Sequence, residues 1–507
     1  MSVEDSTTTD SRLSADSHRQ LGLRMAVASL GVVFWIVGGM EMVERLAFYG
    51  VKAVAALYAT APRTEGGLGV SASVFGNVLM LWALTQSVLP VFVGGLADRF
   101  GYKRTIFVST VVKIFGYLVM AWLPTYSGFL MGAILLATGT AIFKPGIQGT
   151  LVHSTSRENS SVAWGFFYQL VNVGGWVGPL LAAYLRSRLS WMSVFYACSG
   201  IIACNFILLL TYREPKLPVP EDVATRASLW RVAVRELSQL HVWTYLLAFT
   251  GFWFMFNALF DVLPLHVRDW VDTGQLVRFL FHGGRIENST MKFLLGANPD
   301  GTQILPEGML NINAGLIMTT CFLVAYLGSK VRATTSMIIG TLFAIVAMLM
   351  SGMSTVGTIS ALAIIVFSVG EMLSSPKFNE FMGNIAPGDK TAMYLGFSQI
   401  PLAIGWTLEG KFGPMLYDRL ASKERFARSL LLERGMAPDQ VNMIPQGEAF
   451  KHLVSFTHEP AAALTRLLYD RHPVGAVWVL MAVFGVTSVV GLALYSRYVL
   501  VNRSRSQ

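Results

Sequence analysis

Glu41, Glu44, Arg45 and Lys52 stand inside GGMEMVERLAFYGVKA, residues 38–53, a stretch otherwise as apolar as a lipid-spanning helix. Acids and bases at this spacing can hold and release a proton. A buried carboxylate keeps its charge only while a base stays beside it, and an incoming anion that takes the base leaves the acid to be protonated. At 100° per residue, positions 41, 44, 45, 48, 49 and 52 fall within an arc of roughly 140°. The charges therefore form one stripe. Each costs about 2.5–3.5 kcal/mol if it faces lipid at a helix centre, roughly 10 kcal/mol or more for four. The stripe must face partners or a hydrated cavity. A plain alternative is a structural ion-pair cluster that pins two helices. Two more single charges lie in apolar runs: Lys144 in FKPG, which also reads as a lysine snorkelling to the interface, and Glu371 in GEM, which also reads as an ion-pair partner.

The elements that must carry these residues follow from composition. Of 507 residues, 53% are hydrophobic and 14% charged, against roughly 25% charged in soluble domains. This composition predicts an all-α integral membrane protein. Apolar runs long enough to span predict twelve helices, at about 25–57, 72–96, 104–123, 127–150, 161–185, 191–211, 240–263, 309–328, 333–352, 358–384, 391–416 and 474–499. The net charge of +9 comes from basic tracts between spans, around Arg99, Lys103 and Arg104, Arg213 to Arg235, and Lys330 and Arg332. That placement argues for topology and against a nucleic-acid partner, and it predicts that both termini are cytoplasmic.

The predicted organisation is a disordered cytoplasmic start (1–22), a six-helix lobe (23–211), a cytoplasmic linker (212–239), a second six-helix lobe (240–499) and a cytoplasmic tail (500–507). Long connections at about 265–308 and 417–473 are expected outside, the second with helical patterning in KERFARSLLLERG and AALTRLLYDRH. LADRFGYKRT after span two has a degraded echo, LGSKVRATT, after span eight, as in carriers built from repeated halves. Cys198, Cys204 and Cys321 form no spaced pattern, so neither a disulfide framework nor a metal site is expected. Residues 1–22 have no secretory-signal pattern.

EMVERLAFYG resembles the ExxERFxYYG signature of the proton-dependent oligopeptide transporters, within the major facilitator superfamily; Glu41, Glu44, Arg45, Tyr49 and Gly50 fit, and Leu46 and Phe48 depart. GGLADRFGYKR, ATGTAIFKPGIQ, FFYQLVNVGGWVGP and GEMLSSPKFNEFMGNIAP resemble the superfamily loop motif and the family's fourth-, fifth- and tenth-helix segments. The resemblance implies a two-lobed fold of twelve helices and proton-coupled symport of di- and tripeptides by alternating access, in the plasma membrane. It implies proton coupling through Glu41, Glu44, Arg45 and Lys144. Substrate contacts would come from Arg45, Lys52 and Lys144 at the peptide carboxylate, Glu371 at its amine, and Tyr49, Asn172 and Asn257 between; Lys52 replaces an Arg and Asn257 an acid. Gating is implied for Asp98, Arg99, Lys103 and Arg104, with Asp261 standing in for the missing acid. Lys113, Lys377, Glu380 and Glu409 read mostly as snorkelling or interfacial charges.

No cofactor is expected beyond a proton gradient as energy source; the expected partners are a peptide-like solute, protons and lipid, and oligomeric state stays open. A carrier of another anionic or zwitterionic solute, or a non-transporting sensor with this fold, are the alternatives. An enzyme is not expected: no G-x-S-x-G, H-E-x-x-H or Walker loop occurs.

Overall fold

The computed structural model describes residues 23–155, 159–214, 231–232, 234–385, 394 and 396–500, with the backbone alone at 91–99 and at scattered other helical positions. The predicted N-terminal segment 1–22, most of the linker and the tail from 501 lie outside the described residues. Twelve long helices carry the fold: α1 Val32–Thr60, α2 Ala72–Phe100, α3 Tyr102–Trp122, α4 Tyr126–His153, α5 Ser160–Arg188, α6 Trp191–Thr211, α7 Leu240–Asp261, α8 Pro306–Ser329, α9 Ala333–Gly352, α10 Gly357–Ile385, α11 Gln399–Leu420 and α12 Ala476–Leu494. Among the described residues β-pairing amounts to two isolated bridges. The chain is an all-α, multi-pass membrane protein.

Among the described residues, eight of the twelve are long and apolar enough to cross a membrane by length and composition alone. Of the others, α1, α5 and α11 carry charged and polar positions that depend on neighbours for shelter. The first span begins later than its hydropathy suggests. Leu23–Ala28 is a separate short helix, and the chain turns extended at Gly31 before α1 starts. Local chemistry sets other starts: the Thr125 hydroxyl accepts from Gly128 N ahead of α4, and Ser190 and Ser193 form a reciprocal capping box ahead of α6.

Packing repeats with a shift of six helices. α1 packs on α5 and α6, α3 on α4 and α6, and α2 on α4; likewise α7 packs on α11 and α12, α9 on α10 and α12, and α8 on α10. Between the halves the main packings are α2 on α11 and α5 on α8, which exchange under the same shift. Glycines permit the closest of these approaches. A Cβ at Gly178 in α5 would lie 2.5 Å from the Leu46 carbonyl oxygen and 2.9 Å from Gly50 N in α1.

The basic turn between α2 and α3 has a structural reason. Gly101 takes φ +92°, open to glycine, and its missing side chain leaves room for Glu214, 2.8 Å from where a Cβ would sit. Glu214 accepts from the backbone N–H of Tyr102 and of Lys103, satisfying the start of α3, while Lys103 Nζ donates to the Tyr212 carbonyl at 2.9 Å. Asp98 and Arg99, named for gating, fall where only helical backbone is described. Arg104 is exposed.

The long connections are structured. The first holds short helices Leu263–Trp270, Thr273–Leu280 and Ser289–Leu294; the second holds Lys423–Glu433, Pro438–Met443, Ala449–Thr457 and Ala461–Arg471. Apolar positions such as Phe426, Leu430, Leu431, Leu453, Leu464 and Leu468 are buried, as the sequence patterning required. The Trp270 indole donates to the Ala421 carbonyl at 2.9 Å and its ring meets Phe426 at 6.2 Å, so the two connections form one cap on this side. Here the halves are tied together. Arg186 makes two bonds to buried Glu307, 2.6 and 3.0 Å, Arg268 donates to Thr60 at 2.7 Å, and Thr64 donates to Glu448 at 2.7 Å.

Candidate functional site: three charged clusters between the helices

The stripe on α1 is sheltered inside the first half. Glu44 is 1% exposed; its Oε1 accepts from Lys113 Nζ on α3 at 2.8 Å and from the Thr140 hydroxyl on α4 at 3.3 Å, and its Oε2 lies 2.5 Å from Arg45 Nη2. Arg45 Nε reaches Glu41 at 3.1 Å, one helical turn back. Lys113 also sits 3.8 Å from the centre of the Phe143 ring. This corrects the reading of Lys113 as an interfacial lysine. It is as buried as Glu44, and its partner lies 69 residues away in sequence.

Two acids and two bases cancel here among the described residues. Lys144, half-buried on α4, forms no ion pair with a described residue, yet its charge acts on Glu41, Glu44 and Arg45. The cluster with Lys144 thus carries one positive charge in excess, an arrangement suited to an anion.

A second cluster joins the halves. Lys52 on α1 holds Asp261 at the end of α7 at 2.5 Å, and its ammonium lies 4.9 and 5.8 Å from the Trp406 and Trp82 rings. Lys52 therefore departs from the expected place beside Arg45 and Lys144: it closes on an acid of the opposite half. Glu409 on α11, read as an end-of-helix charge, is 0% exposed and acts electrostatically on the same pair. That reading is corrected as well. Lys377 and Glu380 pair with each other along α10 at 2.6 Å.

The third group lines a small cavity between the halves. Tyr49, Asn172, Phe256, Phe260, Asn313 and Glu371 surround about 70 Å³ of space, drawing on α1, α5, α7, α8 and α10. That is room for roughly two waters at ~30 Å³ each. Asn313, missed in the sequence, donates to Glu371 at 2.9 Å and to Ser368 at 3.0 Å. The Tyr49 ring faces Phe260 across the halves at 6.4 Å. Asn257 is not among the lining residues; its amide turns back to the Trp253 carbonyl one turn away at 2.7 Å. The structure thus brings Tyr49, Asn172 and Glu371 together, places Arg45 one turn from Tyr49 on α1, and sends Lys52 and Asn257 elsewhere. A larger cavity of about 460 Å³ lies under the cap, bordered by Arg186, Arg268, Asp269, Tyr417, Lys423 and Glu424 among others.

Comparison with known proteins follows this geometry. Residues 45–408 match the sequence profile of the Major Facilitator Superfamily. The multidrug resistance protein MdtH of Photorhabdus laumondii is 23% identical over 354 residues, 69% of this chain and 79% of that protein. The uncharacterized transporter YclF of Bacillus subtilis is 25% identical over 178 residues, 34% of this chain, and the match spans only 36% of YclF. Among solved structures, a peptide transporter POT in complex with sulfate superposes with TM-score 0.65 at 14% identity, covering 94% of this chain and 99% of that one. A bacterial homolog of the lysosomal transporter Spinster, inward-facing and unoccupied, gives 0.66 at 16%, covering 91% and 96%.

Proposed function

Because this chain belongs to the major facilitator superfamily, and is a transporter rather than an enzyme, we propose that it carries small zwitterionic solutes, di- and tripeptides or molecules of amino-acid size, coupled to protons by alternating access. The observation that carries this reading is the cavity between the halves, lined by Glu371 and by Tyr49, which stands one helical turn from Arg45 in the cluster that Lys144 leaves with a surplus positive charge. An ammonium and a carboxylate held a few ångströms apart need such a pair of opposite signs once water is excluded.

The coupling step uses the cluster on α1. A solute carboxylate that engages Arg45 or Lys144 weakens their hold on Glu41 and Glu44 and favours protonation of one of them, so proton and solute bind better together. Until then Lys113 stays paired with Glu44. Both halves must separate on the capped side to admit solute, which breaks Arg186–Glu307 and Lys52–Asp261. The proposed setting is the plasma membrane of a bacterium with both termini in the cytoplasm, following the basic connections. The resemblance of EMVERLAFYG to the oligopeptide-transporter signature supports the peptide assignment.

A second reading is export of amphipathic drugs. The aromatic lining of Tyr49, Phe256 and Phe260 around a single acid favours a lipophilic cation, and a relative is named for multidrug resistance. Uptake of a labelled dipeptide into proteoliposomes, with and without an inward proton gradient, separates the two. Gradient-driven accumulation is expected; lack of accumulation, together with thermal stabilisation by lipophilic cations and not by dipeptides, would replace the first reading by the second.

A further inference from the structure

We infer that Glu409 is a resident proton-binding site, its carboxyl neutral and sharing that proton with Asp261 while the capped side is closed. Glu409 lies on α11 with no exposed surface, and neither of its carboxyl oxygens accepts a hydrogen bond from a described donor. Asp261 is in the same position at one oxygen: Oδ1 takes Lys52, and Oδ2 has no donor. A buried carboxylate normally collects several donors, so two acids with three bare oxygens between them mark a missing hydrogen rather than a missing side chain.

The surroundings agree. Among the described residues the titratable groups that act on Glu409 are Asp261 from α7 and Lys52 from α1, with none from α2 or α12, which also pack on α11; Lys411 on its own helix reaches away to Asn77 at 2.6 Å. Two ionised carboxylates against one ammonium would leave an uncompensated charge walled in by Trp82 and Trp406. One proton removes it, and turns repulsion between the acids into a hydrogen bond. The backbone makes room for this arrangement. The Glu409 carboxyl lies over Gly413, one turn on, where any Cβ would collide with Oε1 and come within 3.3 Å of Val262 at the end of α7.

The site also has a direction built in. Asp261 and Glu409 belong to one half and Lys52 to the other, so parting of the halves on the capped side withdraws the one base among the described residues that acts on them and exposes the acid pair to that compartment. The proton then exchanges with the medium there. This last consequence rests on the coupled-transport reading proposed above; residence of the proton on Glu409 does not.

Infrared spectroscopy of the purified full-length protein tests residence directly. The expected result is a protonated-carboxyl C=O band that shifts on deuteration, disappears in E409Q and persists in E371Q. Mapping of a hydrophobic carbodiimide adduct by mass spectrometry on the wild-type chain assigns the group even if E409Q does not fold, with the adduct expected on Glu409 and not on Glu44. A spectrum in which E409Q removes no carboxyl band, or a band present in wild type with no adduct on Glu409, overturns the inference. So does loss of band and adduct on adding sodium at constant pH, which would make the site a metal-cation site. If band and adduct are found but dipeptide uptake is absent, the proton site stands and the transport reading fails.

Discussion

Replacing Lys113 by Met keeps the length of the side chain and removes its charge from the closest partner of Glu44. In the native cluster Glu44 Oε1 receives Lys113 at 2.8 Å and Thr140 at 3.3 Å, and Oε2 receives Arg45 at 2.5 Å. Without Lys113, Glu44 keeps only Arg45 in ion-pair contact and shares it with Glu41, while the half-buried Lys144 acts on both from beyond ion-pair distance. Breaking a buried pair by removing one member costs about 3–5 kcal/mol, and the retained Arg45 contact places K113M near the lower end, about 3 kcal/mol. Removing the acid as well returns the cluster to its native net charge, so K113M/E44Q is expected to lie within about 1 kcal/mol of the native protein, well below the sum of the two single variants. Denaturant unfolding of the four proteins in one detergent gives the cycle. A neutral K113M, or a double variant as unstable as the sum of the singles, would mean that Lys113 serves the interface with lipid headgroups and that the cluster is wrongly drawn.

Three further outcomes are expected. Arg186→Leu strands the Glu307 carboxylate and weakens the closed capped side by about 1–3 kcal/mol, roughly a 5- to 150-fold shift in population, readable as longer distances between spin labels on α5 and α8 across that end. Burial against Trp270 and Phe450 holds the Lys423 ammonium down at about 8, with Asp269 opposing and Arg268 adding to the effect. Unfolded lysine keeps its proton to about 10.4, so the unfolded chain binds more protons between those values and stability should rise with pH from about 8 to 10. After discounting for partial exposure the gain is on the order of 2 kcal/mol, and Lys423→Met should abolish the slope in a pH series of thermal melts. Gly178→Ala puts a methyl group onto the α1 backbone and should cost about 1–3 kcal/mol by overpacking, whereas Gly200→Ala, which meets nothing within 4 Å, should change the melting temperature little.

The helices were legible because a span is a local property: about 20 apolar residues in a row. The charged stripe was legible for the same reason, since Glu41, Glu44 and Arg45 share one face of one helix. Partners were not. Lys113 sits alone in VVKIFG and looks like any lysine reaching for an interface; only the fold brings α3 to α1. Lys52 meets Asp261 at a separation of 209 residues, and Glu214 caps α3 from 112 residues away. Glu409 has no neighbouring signal beyond its apolar setting and Gly413 one turn on. Tyr49, Asn172 and Glu371 were named through family resemblance and do share a cavity, while Asn313, which orients Glu371, stood in an unremarked NIN. Sequence patterns register what a residue must avoid, and contacts across the fold decide what it finds.

The charged stripe on α1 has a consequence for how the chain is made. α1 leaves the ribosome ahead of α3 and α5, and it carries its charges before they exist to receive them. Left alone in lipid it would face an insertion cost of roughly 10 kcal/mol, so it must be sheltered by the insertion machinery until Lys113 emerges, or wait at the membrane surface. A chain arrested between α1 and α3 should therefore be extracted by alkaline carbonate, and one arrested after α5 should not. Biogenesis of this protein is an assembly problem from α1 onward.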